Sequence, residues 1–351
     1  MFLYGGAVLP ELRKDAVTGT WVIVAAERSK RPHDFNLQGH HLKHNDCIFC
    51  YGNENKTPPE VLAWRPLGGE PNTPGWTVRA FPNKFPAVTV QGAPDCRETP
   101  DGNIMTAVGA HEVIVDCPDH SVSFGQLSDR QAELVIQALV ERFRVLSRNP
   151  MVRYIQVFKN CGTAAGSSIE HVHWQLISVP VVPENVLRET AGAEKYREKH
   201  GVCGYCRMIS GQGTGGERVI ETGADFVVFS PFASRFPYET WILPRRHEAD
   251  FRGIGDKELT SLGRILRKTV GRIEQALDYP PYNIVLHSAP LDKGYRDYHW
   301  HLEIMPRLSV AAGFELGTGV FINPVAPEIS AAVLREADPG MRQEPVRKGG
   351  N

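Results

Sequence analysis

The chain has 351 residues, of which 42% are hydrophobic and 23% charged, and its formal net charge is −1. This length suggests two domains, or one fold built from two halves, and the composition is typical of a folded globular protein. The net charge gives no electrostatic reason to expect nucleic acid or an anionic membrane as a partner. No apolar run reaches the roughly 18 residues that a membrane-spanning helix needs, and the first residues lack a basic start and a clear cleavage site, so we expect a cytoplasmic protein.

The N-terminal half contains, in chain order, a Cys-x-x-Cys pair, an apolar strand, a helix, a second strand and a glycine-rich loop followed by two histidines. These elements lie at 47–50, 113–115, 128–147, 154–158, 160–168 and 171–173. The helix is predicted from apolar residues at helical spacing and from Ser128 and Gln131, which are typical of a capping box.

The C-terminal half repeats this order, with its cysteine pair, strand, helix, second strand and paired histidines at 203–206, 240–243, 256–277, 282–286 and 299–301. The interval from Tyr154 to His171 equals that from Tyr282 to His299. A whole series of matched elements indicates a duplication. We predict an α+β fold of two halves, 1–190 and 191–351, each an antiparallel sheet with helices packed on it.

Each half offers two cysteines and two histidines at matching positions, which is a common ligand set of structural zinc sites. The predicted ligands are Cys47, Cys50, His120 and His171 in one half, and Cys203, Cys206, His247 and His299 in the other. A thioredoxin-like redox role is less favoured, because histidines follow each cysteine pair and a βαβ context is lacking. We therefore expect two zinc ions per chain.

A further acidic and histidine-rich group consists of Glu189, next to the predicted boundary, and of His287, His301 and Glu303 in the C-terminal half. Carboxylate and imidazole groups together are compatible with iron or with an additional zinc ion. The same residue types are equally typical of a salt-bridged cluster. The sequence leaves both interpretations open.

The loop at 160–168 consists of small and polar residues, whose backbone N–H groups can approach phosphate oxygens, and Ser167 and Ser168 add hydroxyl donors. If 171–173 is a strand, His171 and His173 face the same side. With His171 bound to zinc, His173 stays uncoordinated, and neutral imidazole is a competent nucleophile toward phosphorus. We predict His173 as the catalytic nucleophile, with Ser168 and Gln175 stabilising charge on the phosphoryl oxygens.

The C-terminal half differs at the corresponding positions. His301 stands in the place of His173, but Glu303 stands in the place of Gln175. A carboxylate there would repel a substrate phosphate, and the second half also lacks a Gly-Ser-Ser loop. We expect this half to have kept its structure and lost its chemistry.

The segment from Asn160 through the Gly-Ser-Ser loop to His171-Val-His-Trp-Gln175 resembles the active-site strand of the galactose-1-phosphate uridylyltransferases, a family of the histidine-triad superfamily. The resemblance covers nearly the whole chain and continues at 15–32, 47–50, 118–121 and 321–324. It implies ping-pong transfer of UMP between UDP-glucose and galactose 1-phosphate through a nucleotidyl-His173, with zinc at the first metal site, and it implies a homodimer.

The resemblance also implies roles for particular residues. Arg28 and Arg31 would contact the nucleotide phosphates or the base side, and Phe81 and Asn83 would bind the nucleoside. The phosphate contacts would come from Asn160, Ser168 and Gln175.

Two features depart from the usual family pattern. Val172 and Trp174 replace the proline and glycine of the His-Pro-His-Gly-Gln motif, and the stretch Gly313 to Gly319 is more similar to the plant-type relatives that act as ADP-glucose phosphorylase. Those enzymes transfer an adenylyl group to inorganic phosphate. The base and the acceptor therefore stay open at this point.

Two further alternatives are a nucleotide-binding or nucleotide-hydrolysing protein of the same fold, with water as acceptor, and a purely structural zinc protein. Asn160, Ser168, His173 and Gln175 together argue against the last.

Overall fold

The computed structural model describes residues 10–25, 47–210, 216–292 and 294–337, and the backbone of 3–4 and 7–8. The strands in chain order are β1 Leu3–Tyr4, β2 Ala7–Val8, β3 Glu11–Lys14, β4 Trp21–Val24, β5 Leu62–Trp64, β6 Val78–Pro82, β7 Cys96–Thr99, β8 Gly102–Met105, β9 His111–Val115, β10 Tyr154–Cys161, β11 His173–Val179, β12 Val219–Thr222, β13 Phe226–Phe229, β14 Thr240–Pro244, β15 Tyr282–His287, β16 His301–Pro306 and β17 Phe321–Asn323. The α-helices are α1 Asp129–Leu146, α2 Glu184–His200, α3 Gly204–Ile209, α4 Asp256–Ala276, α5 Gly313–Thr318 and α6 Pro327–Glu336.

Ten of the described strands form one antiparallel sheet in the order β12-β13-β14-β16-β15-β10-β11-β9-β6-β5. From the centre outward, the N-terminal half contributes β10, β11, β9, β6 and β5, and the C-terminal half contributes β15, β16, β14, β13 and β12 in the matching order. The α+β class and the duplication are confirmed. The halves join edge to edge through β10 and β15, where Asn160 lies opposite Asn283.

The two predicted helices, α1 and α4, pack against each other and against the same face of this sheet, which we call the helix face. Helix α1 begins as predicted, with the Ser128 hydroxyl oxygen accepting the backbone N–H of Gln131. The Gln131 side chain does not complete a capping box, because it donates to the carbonyl oxygens of Thr77 and Asp116. Apolar residues of both helices and of alternate strand positions, including Trp174 on β11, form the largest buried cluster.

The opposite face of the sheet, which we call the site face, carries the other strand positions. On the N-terminal half it includes Phe81, Val113 and Val115, which form a second buried cluster with Cys47 and Phe49. Because side chains alternate along a strand, His173 and Gln175 of β11 lie on this face while Trp174 points to the helices.

The C-terminal half is covered on its site face by α2, α3 and the turn between β3 and β4. Val17 of that turn is buried against Ala193 of α2, and Gly192 permits the approach, since an added Cβ would lie 2.1 Å from the carbonyl oxygen of Val17. Residue 190, where we placed the domain boundary, lies inside α2. None of the helices in the described part of the chain is long and apolar enough to cross a membrane.

Candidate active site and metal centres

The first predicted metal group comes together from three segments distant in sequence. Sγ of Cys47 and Sγ of Cys50 lie 3.6 Å and 3.5 Å from Nδ1 of His171, and Cys50 Sγ lies 3.5 Å from Nδ1 of His120. A tetrahedral zinc ion with ordinary Zn–S and Zn–N bonds separates sulfur from nitrogen by about 3.6 Å. Nε2 of His171 donates to the carbonyl oxygen of Cys117 at 2.7 Å, which leaves Nδ1 for a metal. These four side chains could hold a metal ion.

The second group repeats this arrangement in the C-terminal half, where Cys203, Cys206, His247 and His299 could also hold a metal ion. Sγ of Cys206 lies 3.2 Å from Nδ1 of His247 and 3.6 Å from Nδ1 of His299. Both imidazoles donate through Nε2 to backbone carbonyl oxygens, at 2.7 Å and 2.9 Å. The donor sets and spacings of both groups fit zinc.

The third group is brought together as an ion-pair network. Nδ1 of His287 lies 3.0 Å from the carboxylate of Glu189, and its Nε2 lies 3.3 Å from that of Glu303, which also pairs with Arg235. Burial disfavours the charged imidazole, but the two carboxylates outweigh it and raise the pKa of His287 to about 10. Glu189, His287 and His301 could hold a metal, and without one the imidazole of His287 already pairs with both carboxylates.

His173 stands at the start of β11 with a defined tautomer. Its Nδ1 lies 2.7 Å from the carbonyl oxygen of His171, which can only accept, so Nδ1 carries the proton and Nε2 keeps its lone pair. Burial, supported by the positive charge of Lys159, lowers the pKa of His173 to about 4. The ring also packs edge-on against Phe49, 5.1 Å between centroids. The arrangement therefore presents a neutral imidazole with one free nitrogen.

Two side-chain amides flank this histidine on the site face. Gln175 follows it on β11, and its Oε1 lies 2.9 Å from Nε2 of His111 on β9. Asn160 is on the neighbouring strand β10, and its Oδ1 accepts a hydrogen bond of 2.8 Å from Asn283. All four polar side chains are partly exposed. Amide N–H donors beside an uncoordinated imidazole can stabilise charge on a phosphoryl group.

The glycine-rich loop follows β10 and contains two glycines with positive φ, Gly162 with φ 80° and Gly166 with φ 83°. Such residues allow a tight turn that brings backbone N–H groups to a ligand. Ser167 is hydrogen-bonded within the loop, donating to the carbonyl oxygen of Ile169 at 2.7 Å. Ser168 is exposed.

The residues expected around the nucleoside differ in their surroundings. Phe81 is buried against Phe49, 5.5 Å between ring centroids, and the guanidinium of Arg79 lies over the Phe81 ring, 4.7 Å from its centroid. Asn83 is partly exposed and accepts the backbone N–H of Phe85 at 2.9 Å. Arg28 and Arg31 lie outside the described residues.

A fully buried ion pair lies behind His173, on the helix face. Nζ of Lys159 on β10 is 2.6 Å from Oδ2 of Asp116 and 3.3 Å from the carbonyl oxygen of His173. The ammonium also lies over the ring of Trp174, 5.6 Å from its centroid. This pair ties the end of β9 to β10 and β11 at the point where His173 begins its strand.

Sequence reasoning missed His111, Asn283, Lys159 and Asp116. A usable signal existed for the first two, because strict alternation along β9 and β15 places them on the site face. The sequence gives no such signal for Lys159 and Asp116, because a charged residue is normally not expected on an apolar strand face.

A family model described as "Galactose-1-phosphate uridyl transferase, N-terminal domain" matches residues 7–183, and one described as "Domain of unknown function (DUF4921)" matches 108–344. ADP-glucose phosphorylase of Arabidopsis thaliana is 36% identical over 335 residues, which is 93% of each protein. The chain belongs to the galactose-1-phosphate uridyl transferase family. Another member, galactose-1-phosphate uridylyltransferase of Thermotoga maritima, is 28% identical over 338 residues, or 93% of this chain and 98% of the relative.

Solved structures of the family show the same fold. The crystal structure of the Arabidopsis ADP-glucose phosphorylase with bound ADP-glucose has a TM-score of 0.80 and 34% identity, and the alignment covers 93% of this chain and 99% of that one. A uridylyltransferase structure has a TM-score of 0.72 and 28% identity, with 94% and 98% covered. These family members are nucleotidyltransferases, and the chain is therefore a member of a nucleotidyltransferase family.

Proposed function

We propose that the protein transfers a nucleotidyl group through a covalent nucleotidyl-His173, and that its reaction is the transfer of AMP from ADP-glucose to inorganic phosphate. One observation carries the proposal: the Nδ1 proton of His173 is committed to the His171 carbonyl, so Nε2 is a neutral nucleophile beside two amide side chains. Neutral imidazole reacts with phosphorus without prior removal of a proton.

In the first half-reaction Nε2 of His173 attacks the α-phosphorus of the nucleotide-sugar. An N–P bond forms, and the bond to the bridging oxygen breaks, releasing glucose 1-phosphate. This leaving group has a second phosphate pKa of about 6 and departs as a stable anion, so no strong general acid is needed. In the second half-reaction an oxygen of inorganic phosphate attacks the same phosphorus, the N–P bond breaks, and ADP is released.

The chain's own residues would bind and orient the reacting groups. The NH2 groups of Gln175 and Asn160, with Ser168 and the loop N–H groups, would hold the nonbridging oxygens as charge develops on them. Zinc at the Cys47–Cys50 site would supply structural cross-linking, because its ligands come from separate segments and include His171, whose carbonyl oxygen orients His173.

Three observations favour adenylyl transfer. The relative named ADP-glucose phosphorylase is 36% identical, compared with 28% for the Thermotoga uridylyltransferase. The structure with bound ADP-glucose also has the higher TM-score, 0.80 against 0.72. The stretch from Gly313 to Gly319, similar to the plant-type relatives, points the same way.

The second candidate is UMP transfer between UDP-glucose and galactose 1-phosphate. The match of residues 7–183 to the uridyl transferase model supports it, as does the Thermotoga relative, which aligns over 93% of this chain. Both candidates use the same nucleophile and differ in the base and the acceptor.

The deciding experiment is intact-protein mass spectrometry after incubation with ADP-glucose or UDP-glucose separately. We expect an added mass of one AMP from ADP-glucose, and its loss when inorganic phosphate is added. An added UMP that is discharged by galactose 1-phosphate would support the second candidate. Rapid loss to free nucleotide without an acceptor would indicate a hydrolase, and the absence of any adduct would reject the covalent mechanism.

Four further expectations stay predictions. Two zinc ions per chain and a homodimer are tested by elemental analysis and analytical ultracentrifugation, and the cytoplasmic location by fractionation of the source cells. Arg28 and Arg31 keep their predicted role in substrate binding, which charge-removing substitutions would test through KM.

A further inference from the structure

His111 on β9 has a tautomer that its backbone contacts define. The backbone N–H of Ala87 donates to Nδ1 of His111 at 3.2 Å, so this nitrogen is the acceptor. In a neutral imidazole the proton then sits on Nε2. Nε2 lies 2.9 Å from Oε1 of Gln175 and 3.2 Å from Nδ2 of Asn83, whose NH2 group faces it because Oδ1 of Asn83 accepts the Phe85 N–H. A protonated Nε2 forms its hydrogen bond with the nearer oxygen of Gln175 and none with this second donor.

The tautomer determines which way Gln175 points. With Oε1 held by Nε2–H of His111, the NH2 group of Gln175 is directed away from β9. Position 111 pairs with Ile177 in the strand register, so His111 and Gln175 are diagonal neighbours on the site face, a spacing that long side chains bridge. The NH2 group is thereby left for a ligand beside His173.

An independent contact orients the second amide. The side-chain nitrogen of Asn283 donates to the carbonyl oxygen of Ala165 at 2.8 Å, which identifies this atom as the nitrogen. The same nitrogen donates to Asn160 at 2.8 Å, so the atom of Asn160 that it contacts is the oxygen. Nδ2 of Asn160 consequently turns toward the glycine-rich loop, where an added Cβ at Gly166 would lie 3.9 Å from it.

We propose that His111 and Asn283 are positioning residues, which turn the NH2 groups of Gln175 and Asn160 toward the phosphoryl group that His173 receives. The inference deepens the proposed function and rests on it for the identity of the ligand. Asn283 belongs to the C-terminal half, so the half without a nucleophile would supply one of the two orienting groups through the pairing of β15 with β10.

The first test reads the tautomer directly and needs no activity. Long-range 1H–15N correlation of the labelled protein should show His111 protonated on Nε2, with the His111→Gln variant used to assign its signals. A ring protonated on Nδ1 would overturn the orientation of Gln175, whatever the protein's reaction is.

The second test is a pair of double-mutant cycles on the rate of nucleotidyl-His173 formation at saturating nucleotide-sugar. We expect His111→Leu to lower this rate by about 10- to 100-fold, the range that misplacement of a contacting group produces. In the Gln175→Leu background the same change should have less than about a twofold effect. Asn283→Leu should likewise lower this rate in the otherwise unchanged protein and have less than about a twofold effect in the Asn160→Leu background.

The matched control is a double variant that combines one substitution from each pair. His111→Leu and Asn160→Leu act through different amides, so their effects should multiply. His111→Gln should recover most of the rate, because its NH2 group can take the place of Nε2–H. Zinc content and the midpoint of thermal unfolding, measured on each variant, separate positioning from misfolding.

If the two substitutions within the His111–Gln175 pair or within the Asn283–Asn160 pair have rate effects that multiply, the proposal is overturned. An unchanged rate in His111→Leu would overturn it as well. If the wild-type chain forms no adduct, the proposed covalent mechanism fails, and the same cycles are read on the Kd of AMP and UMP by calorimetry. Coupling within each pair then supports the positioning roles, and its absence rejects them.

Discussion

His173 and His301 hold equivalent positions in the two halves of the sheet, and each donates its Nδ1 proton to the backbone carbonyl oxygen two residues earlier, at 2.7 Å and 3.0 Å. The surroundings of their other nitrogens differ. Nε2 of His301 lies 3.8 Å from the carboxylate of Glu303, and its ring stacks on His287 at 4.7 Å. Gln175 takes the place of Glu303 beside His173. One backbone geometry therefore leaves an imidazole nitrogen beside an amide side chain in one half and places the equivalent nitrogen in a buried ionic network in the other.

From this difference we predict one nucleotidyl group per chain. His173→Gly should abolish labelling while leaving the metal content unchanged, because the ring of His173 is not among the candidate ligands. His301→Gln is the matched control and should still be labelled. Peptide mapping of the labelled chain tests this: a label on His301, or turnover in the His173→Gly variant, would contradict the assignment.

The two metal groups should differ in their effect on the reaction. Cys50→Ser should remove one zinc ion and most nucleotidylation, because the backbone of His171 then loses the anchor that orients His173. Cys206→Ser should remove the other zinc ion and keep the rate within about tenfold, since its site lies in the half that does not contain His173. Elemental analysis and adduct formation are measured on the same samples; equal loss of activity in both variants would count against this division.

The buried Lys159–Asp116 pair should be costly to break from one side. Lys159→Met leaves a buried carboxylate without its partner, and we expect it to lower the free energy of unfolding by about 3–5 kcal/mol. The double variant Lys159→Met with Asp116→Leu should recover most of that loss, because no buried charge remains. Urea unfolding measures the free energy of unfolding of the wild type, the single variant and the double variant. A double variant as unstable as the single one would show that the geometry of the pair, and not its charge, determines the loss.

Glu274 of α4 should make stability depend on pH. Burial raises its pKa to about 7 from an ordinary value of 4.5, although the hydroxyl of Ser123 donates to it at 2.8 Å. A raised carboxyl pKa means that the folded state favours the protonated form. This contribution is fully present below about pH 4.5 and is lost as the pH rises to about 7.

Glu274→Gln removes this titration while keeping the shape of the side chain. Above pH 7 the variant should be more stable than the wild type by up to about 3 kcal/mol, and the difference should shrink toward pH 5. Urea unfolding at pH 5 and pH 8 measures it. Parallel pH dependence in the two proteins would show that Glu274 does not titrate in this range.

Local patterns were sufficient for much of the fold. Helices α1 and α4 lie within a residue or two of their predicted bounds, because apolar spacing and the Ser128 cap are properties of short segments. The four predicted strands are parts of β9, β10, β14 and β15. The matched spacing of the cysteines and histidines also indicated two metal groups, since the same fold repeats the same chain lengths between ligands.

The residues that orient the site could not be found in this way. Asn283 meets Asn160 only because the halves pair along β10 and β15, and edge pairing between strands more than a hundred residues apart leaves no local signal. His111 reaches Gln175 through a strand register that depends on the whole sheet.

By itself the sequence determined the duplicated α+β class and the residues of the two candidate metal groups, because residue identity and spacing carry that information along the chain. The choice of His173 over His301 as nucleophile is also a prediction from the sequence. Only the tertiary structure decided how the halves join, that Lys159 pairs with Asp116 in the core, and which neighbours hold the amides beside His173. Those are contacts between distant segments, and their partners become defined when the sheet brings the strands into register.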